Sequence, residues 1–161
     1  MKDQVILAID PGPDESAYCY VADSKPLEFA KVQNLELRHL LSGEQYSSKY
    51  PTTVLIIEKV ESFGMPVGES VFETVFWSGR FAEAWGGEVH RVGRKDVKLH
   101  LCGNVRAKDS NIRQALLDRY PRTGGGKTPQ IGTKSQPGPL YGMAGDCWSA
   151  LAVGLTYLEA S

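Results

Sequence analysis

Val5-Ile6-Leu7-Ala8-Ile9-Asp10-Pro11-Gly12 is an unbroken apolar run that stops on an acid and a tight-turn sequence. Apolar side chains at successive positions suit a short strand covered on both faces, and Pro-Gly ends it. A carboxylate therefore stands at the rim of a buried sheet. The pattern recurs at Val54-Leu55-Ile56-Ile57, which runs into Glu58, and Asp146 opens a third apolar stretch with helical spacing over 146–158. Two adjacent strands and a covering helix would bring the three acids together, although they lie far apart in the chain. Close carboxylates repel unless a cation neutralises them, so such a cluster reads as a hard-metal site. A site of that kind activates water and steadies a leaving oxyanion at a phosphodiester.

Outward from the first strand, residues 17–22 and 27–32 have strand propensity, and Asp23-Ser24-Lys25-Pro26 between them is turn chemistry. An antiparallel meander of three strands follows. Residues 35–41 have helical leucine spacing after a possible cap, Asn34. The strand at 53–58 is nearly all apolar, which predicts a central position parallel to the first. Residues 71–85 place Val71, Val75, Phe76, Phe81, Ala82 and Trp85 along one helical stripe, stopped by Gly86-Gly87. A short strand at 88–92 and helices at 96–101 and 110–120 complete the regular elements before the last helix. The segment 121–143, rich in glycine and proline and without apolar periodicity, predicts a mobile loop. The order of elements implies an α/β sheet of mixed pairing in a single domain spanning 1–161.

Bulk properties agree with one globular domain of 161 residues. No window resembles a membrane span, and Met1-Lys2-Asp3-Gln4 leads into a strand without a signal-peptide profile, so a cytoplasmic protein is expected. Cys19, Cys102 and Cys147 lack CxxC spacing, which points away from disulfides and zinc and toward small core residues. Net charge is only -1, but from Arg91 to Lys134 eleven Lys and Arg stand against three acids. Charge so segregated predicts a phosphate-attracting face beside the acidic, cation-holding cluster.

Each acid also has a plain structural role available. Asp10-Pro11-Gly12 suits a turn, Glu58 could be the first solvent-facing residue after its strand, and Asp146 could be an N-cap. Gly124-Gly125-Gly126-Lys127-Thr128 invites comparison with a P-loop, but Pro121 stands where that motif needs its first glycine, and a helix precedes it instead of a strand. It reads as a basic loop. His39, His90 and His100 have no metal-ligand spacing, and Trp77, Trp85 and Trp148 read as core.

Four segments together carry a resemblance: ILAIDPG (6–12), IEKVES (57–62), VKLHLCGNVRAKDSNIRQALL (97–117) and DCWSALAVGLTYL (146–158). The chain resembles the RuvC-type Holliday junction resolvases of the ribonuclease H-like superfamily, whose members occur in phages and bacterial chromosomes alike. The resemblance implies a mixed five-stranded sheet, three antiparallel strands and then parallel ones, flanked by α-helices. It implies that Asp10, Glu58 and Asp146 bind two Mg²⁺ ions, with Mn²⁺ substituting, and that Lys98 and Lys108 lie near the scissile phosphate. Arg91, Arg94, Lys95, Arg106 and Arg113 are expected to grip backbone phosphates. The partner implied is a four-way DNA junction, whose approximate two-fold symmetry suits a homodimer, with the helix at 71–85 as candidate interface.

Two departures stand out. The family's second acid on the last helix falls on Ser149, which supplies no charge. Its aromatic wedge position falls on Glu61, leaving Phe63 to take that task. Competing readings are a flap or RNA nuclease on the same fold, a catalytically weak DNA-binding relative, and an actin-like or sugar-kinase fold, which needs two lobes that 161 residues cannot supply.

Overall fold

The computed structural model of the chain describes residues 4–43 and 50–160. Among these, β1 (Val5–Asp10), β2 (Glu15–Ala22), β3 (Lys25–Gln33), β4 (Thr52–Lys59) and β5 (Glu88–Gly93) form one sheet ordered β3-β2-β1-β4-β5. The first three strands are an antiparallel meander, while β4 runs parallel to β1 and β5 parallel to β4. The helices are α1 (Asn34–Ser42), α2 (Glu69–Trp85), α3 (Arg94–Cys102), α4 (Asp109–Leu117) and α5 (Cys147–Ala160). This is the mixed five-stranded α/β sheet that the sequence predicts. No helix among the described residues is long and apolar enough to cross a membrane.

Both faces of the sheet are covered, which is why β1 and β4 are apolar throughout instead of alternating. Ile6, Ala8, Cys19, Val21, Val54 and Ile56 pack under α5, α3 and α4. Leu7, Ile9, Tyr18, Tyr20, Leu55 and Ile57 pack against Leu37 and Leu41 of α1 and Phe81 of α2. Each such aliphatic side chain contributes about 1.5–3 kcal/mol when fully buried. Helix α5 sits closest to the sheet: a Cβ at Gly154 would lie 3.2 Å from the Ala8 Cβ and 3.3 Å from Val21 Cγ2.

Three expectations need correction. Asn34 is not a side-chain cap: Gln33 occupies the N-cap position of α1, and the Asn34 amide donates instead to the Gly12 carbonyl at 2.9 Å. Helix α2 buries only the later part of the stripe read from its spacing, Phe81 with Ala82 and Trp85 against the same core. It turns Thr74 and Phe81 inward and leaves Phe72, Val75 and Phe76 exposed, because apolar residues occupy more than one of its faces. Where composition predicts a mobile loop at 121–143, the structure shows a segment without helix or ladder but closely tied by backbone hydrogen bonds. Gly124 N–H donates to the Pro129 carbonyl, Gly138 N–H to that of Ile131, and Leu140 N–H to that of Gln130, with Leu140 and Gln130 buried.

Candidate active site

Sheet register places the first two acids side by side. Ile9 pairs with Ile57 across the parallel β1–β4 ladder, so Asp10 and Glu58 follow at the carboxyl ends of adjacent strands. Ile9 and Ile57 point toward α1 and α2. One residue on, strand alternation turns both carboxylates to the opposite face, where α5 begins. Asp146 stands at that beginning, and its carbonyl accepts the N–H of Ala150. It holds the N-cap position by its backbone, leaving the carboxylate free for other work.

The turn after Asp10 is held from two directions. A Cβ at Gly12 would lie 2.2 Å from the Glu15 carbonyl oxygen, so only glycine fits. Gly12 N–H donates to Ser16 Oγ at 3.0 Å, and the Ser16 hydroxyl donates to Asn34 Oδ1 at 2.6 Å, both side chains being buried. With the Asn34 amide on the Gly12 carbonyl, a closed polar network fixes the backbone that aims Asp10.

Electrostatics at this rim are those of anions short of countercharge. Burial, the neighbouring Glu58 charge and a hydrogen bond to Glu58 push Asp10 up to about 8, with Asp146 adding to the effect. Burial likewise raises Glu58, while Asp10 and Arg94 draw it back. Both carboxyls of this hydrogen-bonded pair are thus pushed toward the protonated form. Two cations partly satisfy the cluster: Arg94 Nη1 lies 3.8 Å from Glu58 Oε1 and its guanidinium also meets Asp109, while Lys31 Nζ lies 2.8 Å from Asp146 Oδ2. Lys31 is held above the usual lysine range by that bond.

Two clefts meet at this point. One, about 330 Å³, is lined by Glu58, Arg94, Asp109, Arg113, Asp146 and Ser149 among others. The second, about 310 Å³, contains Asp10, Glu58, Glu61, Phe63 and Arg94. Glu58 and Arg94 belong to both, so the clefts adjoin there, with Asp146 lining one and Asp10 the other, and are together called the trench. Arg113 covers the Trp148 ring at 5.0 Å, and Lys95 Nζ sits 4.7 Å over the Phe63 ring. Phe63 itself is half exposed with φ of 52°, a conformation few bulky residues adopt.

Lys98 and Lys108 line neither cleft. Lys108 lies in a separate groove with Arg106, Asn104 and Asn111, and Arg91 borders a depression behind Glu58 and Lys59. Sequence reasoning missed Lys31, Asp109, Ser16 and Asn34 as site residues. Asp109 was within reach, since it directly follows the Ala-Lys that opens α4. Lys31 was not, because its partner joins it only through the tertiary fold.

Asp10, Glu58 and Asp146 are oxygen donors of the type a hard divalent cation takes. Among the described residues, however, no three Asp, Glu, His or Cys side chains are arranged to hold a metal ion. Asp146 is engaged by Lys31, and Glu58 faces Arg94.

The site thus consists of two acids at adjacent central strand ends of a mixed sheet and a third at the start of the covering helix. No protein-family model matches the chain. No curated protein sequence matches it either. Among solved structures, Thermus thermophilus RuvC matches with TM-score 0.67 at 16% identity, over 96% of this chain and 93% of that one. T. thermophilus RuvC in complex with Holliday junction substrate matches with TM-score 0.66 at 19% identity, again over 96% and 93%. The chain therefore has the RuvC-type fold over nearly its whole length.

Proposed function

We propose that this protein is a divalent-metal-dependent endonuclease that cuts four-way or other branched DNA. The observation that carries the reading is the register that sets Asp10 and Glu58 at the ends of adjacent strands, with Asp146 at the start of the helix covering that face. Mg²⁺ held by Asp10, Glu58 and Asp146 would lower the pKa of water and neutralise charge developing at the phosphoryl group.

The chain's own residues would do the rest. A bound cation would replace the Asp10–Glu58 hydrogen bond, and Lys31 would yield Asp146. Freed from Glu58, Arg94 is positioned to meet a phosphate at the junction of the two clefts, and Arg113 reaches the same trench from α4. Lys98 and Lys108, outside the trench, suit contacts further along the DNA instead of at the reacting phosphate. Arg91, Lys95 and Arg106 are exposed and suit sequence-blind grip on the backbone. Phe63, raised on a strained turn and backed by Lys95, suits insertion beside an unstacked base.

Paired cuts need two sites, and the exposed Phe72, Val75 and Phe76 of α2 offer a face for a second copy of the chain. A second reading, a catalytically weak DNA-binding relative, is favoured by one observation. Ser149 lines the cleft where another acid would complete the donor set.

The decisive experiment is cleavage of a labelled four-way junction with and without Mg²⁺. Asp10→Asn should abolish cutting while leaving junction binding in place. Undiminished cutting by that variant would remove Asp10 from the chemistry, and binding without cutting by the native protein in Mg²⁺ and Mn²⁺ would select the second reading.

A further inference from the structure

The segment 121–143 carries the Gly124-Gly125-Gly126-Lys127-Thr128 motif that the trench does not use. Loops of this length without secondary structure are usually either disordered or functional. This one is built from two tight turns locked face to face. In one, Thr133 N–H and the Gln136 carbonyl close a turn at 3.0 Å with Lys134 and Ser135 at its tip, and Gly132 bridges to Pro137 at its base. In the other, Gly124 N–H reaches the Pro129 carbonyl at 2.8 Å around Lys127. Gly125 N–H then donates to the Gln136 carbonyl at 2.9 Å and joins the two.

Their contact leaves no room for side chains. A Cβ at Gly124 would lie 2.7 Å from Gly132 Cα, and one at Gly138 would lie 2.3 Å from the Pro129 oxygen and 2.4 Å from the Gln130 oxygen. Lys127 and Lys134 thus project from a preformed scaffold. Most cations near the trench are engaged: Arg94 with Glu58 and Asp109, Lys31 with Asp146, Lys95 over Phe63, Arg113 over Trp148. Lys127 and Lys134 are exposed and have no ion pair among the described residues. No acid occurs between Asp118 and Asp146 to offset them, and the segment leads through Met143, which is buried, to Gly145 and Asp146 in the cleft wall.

We propose that the twin turns are a preorganised clamp for the phosphate backbone of a DNA arm, with Lys127 and Lys134 as its charged contacts. The inference rests on the branched-DNA reading and adds a binding element outside the trench. Fixing the scaffold in advance removes the ordering cost that a floppy basic loop would incur on binding.

The test is fluorescence-anisotropy binding of a labelled four-way junction in EDTA across a range of KCl concentrations. Because each neutralised phosphate contributes about 0.9 to the slope of log affinity against log salt, Lys127→Gln with Lys134→Gln should lower that slope by about 1.8. The same charge loss at Lys25→Gln with Arg38→Gln should leave the slope close to the native value. Gly138→Ala, which forces the turns apart with both lysines present, should weaken binding several-fold at fixed salt. A native slope in the lysine double variant would overturn the clamp, as would native affinity in Gly138→Ala. Failure of the native protein to bind junctions at all would instead overturn the reading beneath it.

Discussion

Asp10 is the most perturbed acid of the candidate site, and its titration bears on stability. An unfolded aspartate titrates near 3.8, whereas the folded group is pushed up to about 8 by burial and by Glu58. A folded value above the unfolded one means the stabilising contribution is complete below about 3.8 and is lost as pH rises through about 8. In the presence of a chelator, the native protein should therefore melt at progressively lower temperature between those limits. Asp10→Asn, neutral throughout, should flatten the profile. A native profile that runs parallel to that of Asp10→Asn over this range would show that Asp10 is not raised in the folded state. Lys31 belongs to the same scale: a single exposed lysine on β3 holds the third acid. Ser16 and Asn34 act one step further back, through the turn that aims Asp10.

At the level of elements, α5 decides how deep the site lies, because its first residue position sets Asp146 and its middle lies almost on the sheet. Gly154→Val would force two methyl groups and a Cβ into a space where the Cβ alone is already 3.2 Å from Ala8. Overpacking of this kind costs about 1–3 kcal/mol. Urea denaturation should show a loss in that range, and a value near zero would mean that α5 can shift without penalty. Helix α2 presents the opposite case. Phe72 and Phe76 are 64% and 58% exposed, and Arg80 stacks 4.2 Å from the Trp77 ring beside them. The stripe read from sequence mixed residues of two faces, since periodicity gives spacing without saying which neighbour covers it.

For the whole molecule, the charges and the exposed α2 face bear on assembly. If α2 joins two copies, Phe72→Glu with Phe76→Glu should convert a dimer to a monomer in sedimentation velocity. The same variant should keep the native circular dichroism spectrum, because neither side chain is in the core. A monomeric native protein, or a dimer indifferent to these substitutions, would move the interface elsewhere. The basic residues between Arg91 and Lys134 spread over α3, α4 and the twin turns, so the segregated charge seen along the chain becomes several separate contacts in space.

How much of this was legible beforehand differs from residue to residue. The positions of Asp10 and Glu58 at a shared sheet rim were legible because each ends an apolar run of a doubly covered sheet, although either acid alone could equally be a turn or first solvent-facing residue. Asp146 was legible as a helix start. The pairing of Asp146 with Lys31, the Ser16–Asn34 support of the Asp10 turn and the position of Arg94 between the clefts were not, because each joins segments whose separation carries no local signal. Composition also misjudged 121–143: glycine and proline mark freedom in an isolated chain, but here they are what lets two turns approach closely enough to bond. Sequence alone determined the strands, the acidic rim and the mixed sheet, since these depend on hydrophobic pattern and turn chemistry. Only the tertiary structure decided which cations meet which acids and which loop is stiff, since those depend on contacts made after the sheet has closed.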